Sequence, residues 1–181
     1  QNATDPILRA RVDERVDARG KVTGAALYPG DLTPPNLLHG RVLFSGQAHA
    51  RMLAINTSAA GAVPGVVAIF TARDVPNNEY GLILYDQPVL VGLGSNKPNC
   101  DLSLWEGDQV AVVIAETEAI AAHAASLIRI EWEQLPVVTD VHEAMKDEIV
   151  LQPWCGSNIL KHYRIRKGDM VAGWAAADVI I

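Results

Sequence analysis

The sequence is short of the residues that would announce chemistry. Only two cysteines, Cys100 and Cys155, occur in 181 residues. That is too few for a disulfide framework, and their spacing fits no zinc pattern. Two reduced thiols in a cytoplasmic protein are the expectation. No stretch of 18 apolar residues is present, so no transmembrane helix is predicted. The opening QNATDPILRARVDERVD lacks the apolar core of a signal peptide and has no initiating Met, which suggests a processed or truncated start. Basic residues are outnumbered, 15 against 21 acidic, for a net charge of −6. That balance argues against nucleic acid as a partner, because phosphate binding draws on clustered Lys and Arg. Aromatics make up only 6%, so a core must come mainly from Val, Ile, Leu and Ala.

The familiar catalytic signatures are missing too. No phosphate-binding G-x-x-x-x-G-K-[ST] occurs, and Ser45 and Ser58 lack the strand–turn–helix setting of a nucleophile elbow. The five histidines, at 39, 49, 123, 142 and 162, show no i, i+4 pairing and no carboxylate at metal-ligand spacing. Gly92-Leu93-Gly94 begins like a dinucleotide loop but has neither the third glycine nor a bracketing strand and helix.

What is present is pattern. Residues 104–136 read LWEGDQVAVVIAETEAIAAHAASLIRIEWEQLP. Gly107 opens an apolar run from Val110 to Ala115, and an alanine-rich stretch follows. Then Ile128, Ile130 and Trp132 alternate with Arg129, Glu131 and Glu133, the period of a half-buried strand. Pro136 stops it. This predicts strand, helix, strand. The helix is placed over 117–128, with Thr117 as N-cap, Glu116 and Glu118 favoured by the dipole, and a buried stripe of Ile120, Ala121, Ala124, Leu127 and Ile128. His123 falls at the edge of that stripe, facing solvent.

Elsewhere, strands are predicted over Leu37–Phe44, Arg51–Asn56 and Val66–Phe70. The first two are joined as a hairpin through Ser45-Gly46-Gln47, in a polar island that runs on to Ala48-His49-Ala50-Arg51. Short helical turns are predicted at Ser58–Ala62, Thr71–Asp74 and Val141–Lys146. Lys161–Lys167, KHYRIRK, reads as a strand with one solvated basic face. Asp169 reads as an N-cap for a helix burying Met170, Val171, Trp174 and Ala177, so losing Trp174 would cost about 3–5 kcal/mol. The segment from Pro76 to Leu102 dissolves into Asn, Gly and Pro, and a loop of that length is expected at a partner surface. The chain stops on Val179-Ile180-Ile181, in a strand-like apolar pattern. That predicts a piece cut before its next domain, with an apolar patch that promotes association.

The order of motifs resembles a known family. Arg15-Val16-Asp17, Lys21-Val22-Thr23-Gly24, Leu38-His39-Gly40, Ala48-His49-Ala50-Arg51, Pro64-Gly65-Val66-Val67-Ala68, Asp86-Gln87-Pro88-Val89-Leu90, Gly107-Asp108-Gln109-Val110-Ala111, Leu135-Pro136 and Ile165-Arg166-Lys167-Gly168-Asp169 are similar, in sequence order, to the α/β-hammerhead domain of the molybdenum-cofactor-binding large subunit of the xanthine dehydrogenase, aldehyde oxidase and carbon monoxide dehydrogenase family. Departures fall at Gly46, Asn56 and Trp174.

The resemblance implies an α/β (α+β) fold, a bent and mostly antiparallel sheet with one main helix and short helices. It implies an N-terminal arm over 1–19, the hammerhead over 20–147, and over 148–181 a linker and the start of a following domain. It implies a parent oxidoreductase using a molybdenum–pterin cofactor, with iron–sulfur centres and FAD on partner domains or subunits. The pterin-holding loops and the catalytic base belong to later domains of the family, so no catalytic, cofactor or metal residue carries over to this chain, which alone would be inactive. Its role would be to brace the cofactor domains and the subunit interface, with His49, Arg51, Gln87, Trp105 and Asp108 as candidate interface residues. A stand-alone assembly module that docks on a cofactor-bearing subunit, and a small enzyme using the 76–102 loop, are the rival readings.

Overall fold

A computed structural model describes residues 15–180. Most of the arm predicted over 1–19 therefore lies outside the described residues, as does Ile181. The described part of that arm runs into α1 (Ala18–Val22), whose Lys21 ammonium meets Asp17 at 2.5 Å.

Two three-stranded antiparallel sheets carry the fold. The first orders β1 (His39–Phe44), β5 (Gln109–Ala115) and β3 (Val66–Thr71), with β5 central. The second orders β4 (Leu102–Ser103), β2 (Ala50–Asn56) and β6 (Arg129–Gln134), with β2 central. The expected single bent sheet is thus divided in two. The expected hairpin between β1 and β2 does not form: Ser45, Gly46 and Gln47 carry the chain from one sheet to the other. The strand–helix–strand unit is also divided, since β5 and β6 lie in different sheets.

The patterns of β5 and β6 differ for a physical reason. Ala111 and Val113, on one face of β5, pack in a core with Ala60, Ala124, Ala125 and Ile128. Val112, on the other face, packs against Ala72, Leu90 and Cys100. A strand covered on both faces reads as a continuous apolar run. In β6 only Ile130 and Trp132 turn inward, so its sequence alternates.

The main helix, α3 (Glu118–Ser126), ends two residues before its apolar stripe does. Thr117 Oγ1 accepts from the Ile120 N–H at 3.2 Å, and Ala121, Ala124 and Ala125 are buried. Small side chains let the helix lie close on β1 and β5. His123 faces solvent. Before β3, Gly65 takes φ +86°, and a Cβ there would come within 2.8 Å of Ile120 Cδ1. Its carbonyl accepts from the Glu116 N–H at 2.9 Å, tying this turn to the mouth of the helix.

Two short helices match their predicted starts: α2 (Ser58–Gly61), and α4 (Val141–Ala144), whose Asp140 side chain accepts from His142 and Glu143 N–H. The last helix, α5 (Met170–Ala175), is capped by Asp169 as expected, at 3.0 Å from Ala172 N. It buries nothing: Trp174 is 54% exposed, so the predicted cost of removing it does not apply. No strand forms over 161–167 or 178–180, because no second strand lies beside either segment and a lone strand has no ladder.

Between α4 and this region the chain is closed by a polar clasp. Asp147, at φ 57°, accepts from Asn158 N and Ser157 Oγ, both at 2.7 Å. Asn158 in turn donates to the Ala144 and Ile149 carbonyls.

Two outcomes are expected. Gly65→Ala will cost more than about 1 kcal/mol in urea unfolding, because φ is positive there and Ile120 must move. The backbone N–H of Asn158, and then the Ser157 hydroxyl, hold the Asp147 carboxyl below its ordinary value of 3.8. A lowered carboxylate pKa stabilises the clasp above pH 3.8 and gives way as pH falls below it. Amide exchange at Asn158 and Leu151 will therefore accelerate in that acid window, and Asp147→Asn will flatten the dependence.

Candidate functional site

The long segment after β3 is more ordered than its composition suggests, and one residue accounts for this. Asn78 is fully buried. Its Nδ2 donates to the Leu90 carbonyl at 2.8 Å and contacts Ser95 Oγ at 2.9 Å and Cys100 Sγ at 3.0 Å, while its Oδ1 accepts from Leu90 N at 2.9 Å. A buried amide with all its groups engaged fixes its surroundings, since any alternative leaves them unpaired in an apolar medium. In the sequence Asn78 reads only as loop punctuation. The available signal is an Asn followed by an apolar Val-Leu-Val run that has to be covered. From this knot a loop extends through the backbone pair Tyr80–Gln87. Its tip, Leu82 to Tyr85, is exposed.

A second knot sits at the turn before β5. Asp108 Oδ2 accepts from Leu104 N at 2.7 Å, Trp105 N at 3.2 Å and Ser103 Oγ at 3.3 Å. Ser103, fully buried, also lies 2.7 Å from Ser45 Oγ, which donates to the Trp105 carbonyl at 3.0 Å. The Trp105 ring lies over Gly107 so closely that any Cβ there would collide with it. The indole is 61% exposed yet pinned at its base.

These two knots frame an open cleft of about 450 Å³, lined by Tyr80, Gln87, Pro88, Trp105, Gly107 and Asp108 among others. The structure thus brings Gln87, Trp105 and Asp108 together. It places His49 and Arg51 elsewhere, at the start of β2. His49 is 7% exposed, and its Nδ1 donates to the Pro136 carbonyl at 2.6 Å, closing β2 against the end of β6. Arg51 pairs with Asp101 at 2.5 Å and with Glu133 at 3.6 Å. The link between the two groups is β4, whose Leu102 and Ser103 pair with Arg51 and Ala50.

The described residues do not fit a pterin or phosphate group at Gly92–Gly94. The Gly92 N–H donates to the Cys100 carbonyl at 2.8 Å. A Cβ on Gly92 would press on Ala72 at 3.1 Å, and one on Gly94 on Arg73 at 3.0 Å. Both glycines lie against inward neighbours. Among the described residues, no three His, Cys, Asp or Glu side chains gather as a metal site.

Residues 23–136 match the model of the aldehyde oxidase and xanthine dehydrogenase a/b hammerhead domain. The fold and this match define an α/β-hammerhead domain, and the chain belongs to the aldehyde oxidase and xanthine dehydrogenase family. It is 37% identical over 167 residues to a probable xanthine dehydrogenase subunit of Bacillus subtilis (strain 168), covering 92% of this chain and 21% of that protein. It is 35% identical over 171 residues to the xanthine dehydrogenase molybdenum-binding subunit of Escherichia coli O157:H7, covering 91% of this chain and 22% of that one. Among solved structures, the aldehyde oxidoreductase of Desulfovibrio gigas superposes with a TM-score of 0.76 at 30% identity, over 91% of this chain and 19% of that chain. The chain therefore spans about a fifth of the length of these relatives.

Removing the first knot tests its weight. Asn78→Ala leaves the Leu90 N–H unpaired and its carbonyl with only the Cys100 thiol at 3.1 Å, and will cost about 2–3 kcal/mol in chemical denaturation, with the loss expressed as faster exchange of the Leu90 amide.

Proposed function

We propose that this chain is the hammerhead portion of a molybdenum-dependent oxidoreductase large subunit, over residues 20–147, with 148–181 forming a linker and the start of a following domain. Its work is architectural: it braces the cofactor-bearing domains and contributes to the subunit interface. The molybdenum–pterin cofactor would sit on other parts of the protein. Iron–sulfur centres and FAD would sit on partner domains or subunits, in the cytoplasm. The free Cys155 thiol at the surface and the buried free Cys100 are consistent with a reducing compartment.

The observation that carries this reading is the Trp105 platform. An indole more than half exposed contributes little to its own core, yet Asp108, Ser45 and Ser103 hold the turn beneath it. A rigid aromatic presented beside a cleft is the usual anchor of a protein–protein contact. Gln87, which lines the same cleft, would contribute a polar group to the same contact. Arg51, with its charge partners on the face of the second sheet, would lie nearer the rim. His49 would act from behind, by fixing the end of β2.

The test is Trp105→Ala in a full large subunit carrying this segment. Loss of an anchor of this kind lowers the affinity for the neighbouring domain or subunit by tenfold or more, read by co-purification, while the unfolding of the isolated 181-residue chain changes little. Unchanged assembly would contradict the architectural role of this face.

A further inference from the structure

One residue of the Trp105 cleft comes from far along the chain. Gln152 lines it together with Gln87 and Trp105, although it follows α4 and belongs to neither sheet.

The stretch that carries Gln152 is a closed loop. Asn158 ties it from inside. Its Oδ1 accepts from Leu151 N at 2.9 Å, its Nδ2 donates to the Ala144 and Ile149 carbonyls at 2.9 and 2.8 Å, and its N–H donates to Asp147. Beyond Gln152, the Cys155 N–H donates back to the Gln152 carbonyl at 2.8 Å, and Gly156, at φ 77°, reverses the chain. A loop whose ends meet, and whose polar groups pair within it, holds its shape. The bond to the Ala144 carbonyl joins it to α4, so its place is set from the hammerhead side and not by the residues after Asn158.

Burial follows the same division. Val150, Leu151 and Gln152 are half-buried, while Glu148, Ile149 and residues 153–156 on either side are exposed. The half-buried middle is the part that meets the cleft.

We infer that the 147–158 loop is a built wall of the Trp105 contact face, with Gln152 as a contact residue and Asn158 as its positioning residue. This rests on the contact role proposed for Trp105. Asn158 acts through Leu151, because the bond to Leu151 N fixes the residue next to Gln152. Gln152 Oε1 accepts the Cys155 thiol at 3.5 Å, which leaves Nε2 to donate to an acceptor on the partner, such as a backbone carbonyl. The first part of the predicted linker is therefore part of the face, and the linker proper begins after Asn158.

Two measurements test this. In the 181-residue chain, Gln87→Cys with Gln152→Cys, in a Cys155→Ser background, will be joined by a short bismaleimide, and adding Asn158→Ala will lower the yield about fivefold or more. In a full large subunit carrying this segment, Gln152→Ala and Asn158→Ala will each weaken assembly with the neighbouring domain or subunit about fivefold, and the double variant will lose no more than Asn158→Ala alone. Absence of the 87–152 cross-link, or a cross-link that Asn158→Ala leaves unchanged, overturns the inference. Losses that add in the double variant overturn the positioning role of Asn158. Assembly that responds to Trp105→Ala but to neither loop variant also overturns the inference, and leaves the Trp105 contact standing. Assembly indifferent to Trp105→Ala as well removes the contact reading itself, and the inference with it.

Discussion

The structure depends on β5 being covered on both faces. On one side, the alanines of α3 allow the helix backbone to approach Ala111 and Val113 closely. On the other, Leu90 and Cys100 come from a segment with almost no regular structure and cover Val112. Burying both faces of a central strand removes more apolar surface from water than a one-sided sheet could, and in a chain with few aromatics this is the main source of stability. An irregular segment can serve as a cover only if its own polar backbone is satisfied. That is the task of Asn78, and it explains why a single buried amide touches Leu90 through both its carbonyl and its N–H.

The same logic orders the cleft. The chain must turn from β4 into β5 over Leu104 to Asp108, and the turn's N–H groups would be unpaired without the Asp108 carboxylate. Gly107 is required because the indole of Trp105 occupies the space a side chain would need. Folding β5 into place therefore also fixes an exposed tryptophan beside Gln87. A surface built this way comes to a partner already arranged, so less ordering cost opposes the contact.

Much of this is legible in the sequence, and what is not shares a cause. The strands β1, β2, β3, β5 and β6 and the helix α3 are readable because each has an apolar run or a strong period, and Thr117, Asp140 and Asp169 act as caps through local bonds that a short window contains. The pairing of strands is not readable. Ser45–Gln47 resembles a hairpin turn locally, and only the distant bonds from Ser45 N to Asp108 O and from Gly46 N to Glu106 O show that it leads away into a second sheet. Lys161–Lys167 has a strand's pattern without a neighbouring strand, and Trp174 has a helix's pattern without a surface to cover. Among the candidate site residues, Gln87, Trp105 and Asp108 meet at one cleft, whereas His49 and Arg51 lie at a separate corner. Asn78 escapes a reading of the sequence because its importance comes from burial, which composition does not report.

Everything at the cleft requires residues 76–108 to form a fixed surface rather than a loose loop. Hydrogen–deuterium exchange across the 181-residue chain tests this most directly. Protection at Leu90, Gly92 and Leu104 comparable with β5 is expected, with rapid exchange confined to the tip at 82–85. Uniformly rapid exchange from Pro76 to Asp108, with β5 protected, would contradict it.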